Sequence, residues 1–416
     1  MRIIYLHQYF NTPQMSGGTR SYEMARRLVA SGHEVHMITS WRETGELTGG
    51  DWFETEEAGI RVHWLPVPYN NAMSFRERLQ AFFRFALKSA RKAAGLPADV
   101  VFATSTPLTI AIPGAYTKWR QGIPMVFEIR DLWPELPIAM GALKNPISKA
   151  MAHRLESFAY RSSKRIVALS PGMRDGVLRS GYPQANISVI PNSSDLDFFD
   201  PSSAAPEDFL SQHPELRGYP LVVYTGTLGA INGVDYVPRI AAAAREQGLN
   251  IQFAVIGRGI DESRIREEAE RLGVLGYNFH LYPPISKAET PNVLAAADIA
   301  LSLFINLKPM WANSANKFFD ALASGTPVAI NYSGWQADTL NESGAGIQLP
   351  PEEPHEAARQ LGELLAHPDR LKEMGEAARR LAEEKFSRDK LADELESVLL
   401  DAVSSPDDSQ TGTTPQ

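Results

Sequence analysis

The sequence predicts an α/β protein made of two Rossmann-like domains, each a doubly wound parallel sheet, with further helices at its C-terminal end. Three observations predict this. Short apolar runs alternate with amphipathic helical stretches through both halves of the 416-residue chain. The alternation breaks at Asp200-Pro201-Ser202-Ser203-Ala204-Ala205-Pro206 and then restarts. The content, 44% hydrophobic and 22% charged, is enough for two cores of roughly 200 residues each.

The elements follow in order. The apolar run Ile3 to Leu6 reads as a buried strand over 2–8, because a strand covered on both faces needs no alternation. Helix 18–31, strands 34–39 and 60–65, helix 75–94, strand 99–103, helix 107–120 and strand 124–130 come next. Helix 147–162, strand 166–169, helix 172–180 and strand 187–190 complete the first half. After the break the sequence gives strand 220–225, helix 234–247, strand 251–256, helix 262–272, strand 278–282 and helix 286–296. Strand 298–303, helix 314–324 and strand 327–330 close that second sheet. Residues 354–402 read as wholly helical, with Gly and Pro confined to breaks. The expected organisation is an N-terminal domain over 1–200, a linker over 201–219, a C-terminal domain over 220–386, a helix over 387–403 and a disordered, Ser/Thr/Pro-rich tail over 404–416.

Composition narrows the chemistry. With no cysteine, neither a disulfide nor a thiolate metal site can form, and the nine histidines show no tight ligand pair, so no metal is expected. The chain opens on a strand and contains no apolar run of about 18 residues, which points to a cytoplasmic protein. Residues 1–200 carry 23 Lys and Arg against 18 Asp and Glu, a net of +5, whereas residues 201–416 carry 18 against 31, a net of −13. That asymmetry suits a first half that meets something anionic. Nucleic acid is disfavoured, because the whole chain is at −8 and no basic fold motif occurs.

The most informative stretch is Ser314 to Ile330. Ser314, Ala315 and Asn316 open a short amphipathic helix, Lys317 lies in its first turn, Asp320 follows one turn later, and Gly325 ends it before a strand. In a parallel sheet this combination suits a diphosphate and a ribose, since unpaired N–H groups and the positive end of the dipole face the ligand while the acid takes sugar hydroxyls. Two more strand–turn–helix sites precede it. Gly226 and Gly229 can admit phosphate oxygens with Thr227 between them and Asn232 as a cap, and Gly257-Arg258-Gly259 places a guanidinium at the next turn. Tyr282, before Pro283-Pro284, either walls a nucleotide base or belongs to a rigid turn.

In the first half, Gly17 and Gly18 lie in a polar turn between strand and helix, where backbone can approach a ligand. This turn is not the three-glycine dinucleotide fingerprint, and Thr39-Ser40-Trp41 stands where a dehydrogenase needs an acid, so that class is disfavoured. Glu128-Ile129-Arg130-Asp131-Leu132-Trp133-Pro134-Glu135 lies at a strand's carboxyl end, and its charges form either a structural Glu128–Arg130–Asp131 network or a ligand site. His33 and His36 read as packing or surface residues. Residues 74–95 interleave Phe75, Phe82, Phe83 and Phe85 with six Lys and Arg, which suits either a core helix with a solvated side or contact with an anionic membrane surface.

These motifs, with Ser31-Gly32-His33-Glu34-Val35 and Ile190-Pro191-Asn192-Ser193-Ser194-Asp195, stand in an order and spacing that resembles the family 4 retaining glycosyltransferases of the GT-B fold, in the branch acting in bacterial surface polysaccharide biosynthesis. The resemblance implies two domains facing a cleft, a nucleotide-sugar donor (UDP by default) on the C-terminal domain and a saccharide or lipid-linked saccharide acceptor on the N-terminal one. It also implies that helix 387–403 crosses back to the first domain. The expected location is the cytoplasm, with the inner face of the cell membrane as the alternative that residues 74–95 raise. Two family glutamates fall on Ala312 and Asp320, and the Arg and Lys that usually clasp the diphosphate fall on Thr227 and Asn232. Lys317 and Arg258 are the candidates to replace that charge, with Lys308 behind them. Arg130 and Asp131 would orient the acceptor or donor sugar, and the leaving diphosphate would assist attack from its own face, with neither metal nor cofactor. The alternatives are a sugar-nucleotide epimerase and a scaffold subunit of a transferase complex.

Overall fold

The computed structural model describes residues 1–15, 17–42, 52–69 and 73–405. The chain divides into two units: Met1–Ile190 with the chain from Ala392 onward, and Pro191–Leu391.

Unit 1 contains β1 (Arg2–Leu6), α1 (Arg20–Ala30), β2 (Glu34–Trp41), β3 (Phe53–Glu57), β4 (Ile60–Pro66), α2 (Phe75–Ala94) and β5 (Val100–Thr104). It continues through α3 (Ala111–Gln121), β6 (Met125–Ile129), α4 (Glu135–Ala139), α5 (Pro146–Ser162), β7 (Arg165–Ala168), α6 (Pro171–Arg179) and β8 (Ile187–Val189). Its eight strands order as β3-β4-β2-β1-β5-β6-β7-β8, parallel except that β3 runs against β4. Ile3, Ile4, Tyr5 and Leu6 of β1 are fully buried, as a central parallel strand requires. The helices start where sequence chemistry sets them. Ser74 and Glu77 close a capping box on α2, the Asn145 side chain accepts from the Ile147 N–H with Pro146 opening α5, and Ser170 accepts from the Met173 N–H ahead of α6.

Unit 2 contains α7 (Pro206–Gln212), β9 (Leu221–Thr225), α8 (Tyr236–Glu246), β10 (Gln252–Ile256), α9 (Glu262–Arg271), β11 (Phe279–Tyr282), α10 (Thr290–Ala296) and β12 (Ile299–Ser302). After these come α11 (Asn316–Ala323), β13 (Val328–Ile330), α12 (Trp335–Ser343), β14 (Gly346–Gln348), α13 (Pro354–Leu365) and α14 (Pro368–Lys385). The last helix, α15 (Arg388–Ser404), starts in this unit and belongs to unit 1 from Ala392. Six parallel strands order as β11-β10-β9-β12-β13-β14. The core joins Val222 and Tyr224 of β9 and Phe253 and Val255 of β10 to Ile240 of α8 and Leu361 of α13. Both units are therefore the doubly wound sheets expected.

Several expectations are corrected. Residues 201–219 are not a bare linker: α7 lies inside them, Phe209 is buried, and the segment belongs to unit 2. A proline at its first position and acids in its first turn start α7 where the eye reads only punctuation. Strand β3 was hidden by its three glutamates, which an edge strand tolerates because its outer side faces water. Elements α4, α12 and β14 are likewise additions. Glycine is not confined to breaks over 354–402, since Gly362 lies within α13 and Gly375 within α14. A Cβ on Gly375 would stand 2.5 Å from the Gly325 carbonyl oxygen, so close packing decides that residue. Ser404 still ends α15, and the rest of the expected tail, from 406, lies outside the described residues, as does the side chain of Phe75.

Candidate active site

The parallel sheet of unit 2 ends its central strands in three successive turns, and their backbones touch. The Gly226 N–H donates to Ile256 O at 3.0 Å, and the Leu228 N–H donates to Arg258 O at 3.0 Å, so the turns after β9 and β10 are laced together. A Cβ on Gly257 would fall 1.9 Å from Gly226 O, and one on Gly259 2.1 Å from Leu228 O. Only glycine permits this approach. Gly226 and Thr227 are exposed at the tip, and the Tyr224 hydroxyl donates to Thr227 O at 2.8 Å from beneath.

Over this tip lies Lys317. Its Cε stands 3.2 Å from where a Gly226 Cβ would be, and its Nζ lies 5.2 Å from the centre of the Tyr224 ring and 5.8 Å from that of Phe304. Loss of solvation lowers the Lys317 pKa to about 8, against the upward pull of Asp320. Two aromatic faces partly compensate the half-buried ammonium, which makes no carboxylate ion pair among the described residues. A cation held this way gains most from an incoming anion.

Helix α11 presents its N-terminus beside Lys317. The expected cap is corrected here: the N-cap is Ala315, and no side chain caps the helix. Ser314 is turned away, its hydroxyl accepting the Asn192 N–H at 2.9 Å and its carbonyl accepting Asn192 Nδ2 at 2.5 Å. Asn313 Oδ1 accepts the Ala315 N–H at 3.1 Å, and Trp335 Nε1 donates to Asn313 O at 2.8 Å, which fixes the loop ahead of the helix. Asn316 is exposed in the first turn. One turn on, Asp320 Oδ1 accepts the Ser194 hydroxyl at 2.7 Å. Burial raises the Asp320 pKa, while Ser194 and the charges of Arg388, Lys287 and Lys317 oppose the rise.

Other expected residues are placed differently. Asn232 does not cap α8, which begins at Tyr236; its Oδ1 accepts the Gly229 N–H at 3.3 Å and so stiffens the turn. Tyr282 is engaged at the sheet edge, its hydroxyl donating to Glu215 Oε1 at 2.5 Å and its ring 4.1 Å from that of His213. Arg258 and Lys308 are exposed, and Ala312 is buried.

In unit 1 the polar residues gather at the carboxyl ends of β1 and β6. Of the two readings of this run, the structural Glu128–Arg130–Asp131 network is not what forms. Glu128, fully buried, pairs with Arg20, which donates from Nη2 at 2.8 Å and Nε at 3.1 Å, and takes the Thr104 hydroxyl at 2.5 Å. Burial, the largest single influence, would raise its pKa, but the charges of Arg20 and Arg130 and the hydrogen bonds from Arg20 and Thr104 together hold it below the usual value. Arg130 turns its Nη1 to His7 Nε2 at 3.2 Å, and Asp131 Oδ2 accepts the Thr106 hydroxyl at 3.0 Å. Burial, then Arg130 and Arg42, push the His7 pKa well down, so His7 is neutral and accepts from Arg130. His7 Nδ1 and both side-chain amide atoms of Gln8 are buried with no hydrogen-bond partner among the described residues. Buried polar groups of this kind are ordinarily paired by ordered water or by a polar ligand. Gly17 has a φ of +124°, and a Cβ there would strike Asn11 Nδ2 at 2.6 Å, while Gly18 O accepts from that same nitrogen at 3.2 Å. The glycine pair thus shapes the turn before α1.

Two family models match in succession. Residues 17–193 match the glycosyl transferase 4-like domain and residues 207–381 match glycosyl transferases group 1. The chain belongs to the family 4 glycosyltransferases of the GT-B fold. This glycosyltransferase is 24% identical to the glycosyl transferase WcaI of Escherichia coli, named for colanic acid biosynthesis, over 70% of this chain and 74% of WcaI. It is also 24% identical to a GDP-mannose-dependent alpha-mannosyltransferase of Mycobacterium tuberculosis, over 81% of each chain. Anabaena HepE, solved in complex with UDP-glucose, shares the fold at a TM-score of 0.69 and 17% identity, over 96% of this chain and 99% of its own.

Sequence reasoning about this glycosyltransferase did not single out His7, Gln8 or Arg388, and it named Asn192 and Ser194 only as part of a motif. Asn192 and Ser194 lie in an aperiodic segment after β8, and only the fold brings them to α11. Arg388 opens α15 and donates to Ser193 O at 2.7 Å. Among the described residues no group of three or more His, Asp or Glu could hold a metal, and no helix is long and apolar enough to cross a membrane.

Proposed function

We propose that this glycosyltransferase moves a sugar from a nucleoside-diphosphate donor bound by unit 2 to a saccharide acceptor bound by unit 1, with retention of the anomeric configuration. The observation that carries the donor reading is Lys317: a desolvated cation directly above the Gly226 turn and beside the uncapped start of α11. As the bond to the sugar breaks, negative charge grows on the departing diphosphate, and donors preorganised for that charge lower the barrier by several kcal/mol. Lys317 supplies an ammonium, the first turn of α11 supplies N–H groups, Gly226 and Thr227 bring backbone close, and Arg258 reaches in from the neighbouring turn. Asp320 takes ribose hydroxyls. With this charge on hand, the step runs without metal or cofactor, and a chelator leaves the rate unchanged.

The leaving oxygen accepts the proton of the acceptor hydroxyl on the same face, which retains configuration without an enzyme nucleophile. Arg130 and Asp131, at the mouth of β6, orient the acceptor with Gln8 and His7. UDP is the favoured nucleotide because the Anabaena structure holds UDP-glucose, although the mycobacterial relative is named for GDP-mannose. The name of WcaI supports a role in polysaccharide biosynthesis. In this reading the acceptor is lipid-linked and is met at the inner face of the membrane through residues 74–95, whose aromatic and basic residues interleave.

The test is release and transfer of sugar with a panel of UDP-, GDP- and dTDP-sugars, in the wild type and in Lys317→Ala and Asp320→Ala. Loss of transfer by about a hundredfold in Lys317→Ala is expected for one missing charge donor. Unaltered turnover in both variants would overturn this placement of the donor.

A further inference from the structure

In unit 1 the chain steps from β4 to β5, β5 to β6 and β6 to β7 in one direction along the strand order. Right-handed crossovers therefore place α2, α3 and α5 on one face of the sheet. Packing of α3 against both α2 and α5 makes them a continuous row. Their inner sides bury the residues that hold the sheet, such as Phe85 of α2 and Tyr160 of α5. Their outer sides are apolar where solvent-facing helices are ordinarily polar. Phe83 and Leu87 are 42% and 62% exposed on α2, Trp119 75% on α3, and Ile147, Met151 and Phe158 69%, 63% and 41% on α5. The spacing on α2 is i, i+4, and on α5 it is i, i+4, i+11, so each helix shows one stripe. Trp119 and Phe158 also line a groove of about 780 Å³ that runs on to Val403 of α15.

The charge around these stripes is one-sided. Helices α2, α3 and α5 contain eleven Lys and Arg against two Glu, a net of +9, in a chain whose total is −8. One of the two glutamates, Glu156, is buried, where it accepts the Tyr160 hydroxyl at 3.0 Å, so it does not offset the outer surface.

We propose that the outer face of the α2–α3–α5 row docks on an anionic lipid bilayer. Trp119, Ile147 and Met151 sit at the boundary between headgroups and acyl chains, and the flanking basic residues meet lipid phosphates. This rests on the lipid-linked acceptor reading only for its purpose, and it enlarges the contact from residues 74–95 to a surface anchored on α3 and α5. Charge selects the occupant. A second copy using the same face would set basic helices against basic helices, whereas an anionic bilayer complements them.

Flotation of the full chain with phosphatidylglycerol-containing vesicles, with no nucleotide or acceptor present, tests the proposal. The wild type floats with these vesicles, binds pure phosphatidylcholine far less, and is released by about 0.5 M salt. Trp119→Ser with Met151→Ser lowers the partition coefficient by about tenfold or more, and Arg84→Glu with Arg91→Glu does the same. All four residues are exposed, so urea midpoints stay at the wild-type value. Nucleotide binding, read by calorimetry on the same samples, is unchanged in these variants. A wild type that floats but binds no nucleotide would sink the donor reading and leave the docking face standing. The docking face is overturned by a wild type that ignores anionic vesicles, by a Trp119/Met151 variant that floats undiminished, or by a lipid-free dimer that Trp119→Ser dissolves.

Discussion

The Ser194 hydroxyl donates to Asp320 Oδ1 at 2.7 Å, tying the segment after β8 to the second turn of α11. That bond is one of the few stabilising influences on a carboxylate whose pKa burial raises. Because the folded pKa lies above the unfolded value, ionising Asp320 costs folding stability, and the cost sets in as pH rises from 3.8 through the folded pKa. Ser194→Ala removes the bond and moves the acid limb of nucleotide binding to higher pH, since ribose recognition requires the ionised form. Calorimetric titration of UDP between pH 4 and 7 reads the shift. Asp320→Asn abolishes the limb.

Lys317 sets the opposite limb. Its folded pKa, about 8, lies below the unfolded 10.5, so the unfolded chain binds more protons between those values and stability rises with pH across that window. A diphosphate beside the ammonium restores the charge, so nucleotide binding takes up a proton at high pH and weakens as pH climbs through about 8. Lys317→Met should show weak, pH-independent binding from pH 7 to 10 and lose the alkaline rise in urea midpoint. A binding profile in the variant that still falls through pH 8 would assign the limb elsewhere.

Gly226→Ala tests the approach of the turn to that lysine. At φ +139° an alanine is strained by about 1–3 kcal/mol, and its Cβ would press on Lys317 Cε at 3.2 Å. The donor KM rises while the urea midpoint falls. Gly229→Ala, whose φ is not in the left-handed region, is the milder comparison, its Cβ meeting the Asn232 side chain at 3.1 Å.

The buried Arg20–Glu128 pair predicts a stability cycle. Glu128→Gln leaves Arg20 charged without its anion and should cost about 3–5 kcal/mol, read as a fall in the urea midpoint. Arg20→Met with Glu128→Met in one chain should cost less than either single change. The depressed pKa of Glu128 means the wild type holds this stability above pH 4.5 and loses it as pH falls through the folded value.

Gly375→Ala separates propensity from packing. In an exposed helix the change would stabilise by about 1 kcal/mol. Here the new Cβ meets Gly325 O at 2.5 Å, so α14 must move off the end of α11, and the protein is destabilised.

Local chemistry made much of this protein legible. Continuous apolar strands, the proline and Asn or Ser starts of α5 and α6, and the glycine turns after β9 and β10 act within a few residues of themselves, so two doubly wound sheets, and the placing of Lys317 and Asp320 together on one short helix, could be read from order alone. Strand β3 and helix α7 escaped because charge and proline masked them, and each depends on the neighbour it packs on: β4 for one, α10 for the other. The partners of the charged groups were decided by tertiary structure. Glu128 lies two residues from Arg130 yet binds Arg20, 108 residues away, and Ser314 faces Asn192 rather than capping its own helix. Hydrogen bonds and desolvation depend on distances through space, which sequence separation does not encode; hence the residue types were set by the sequence, and their charge states and partners by the fold.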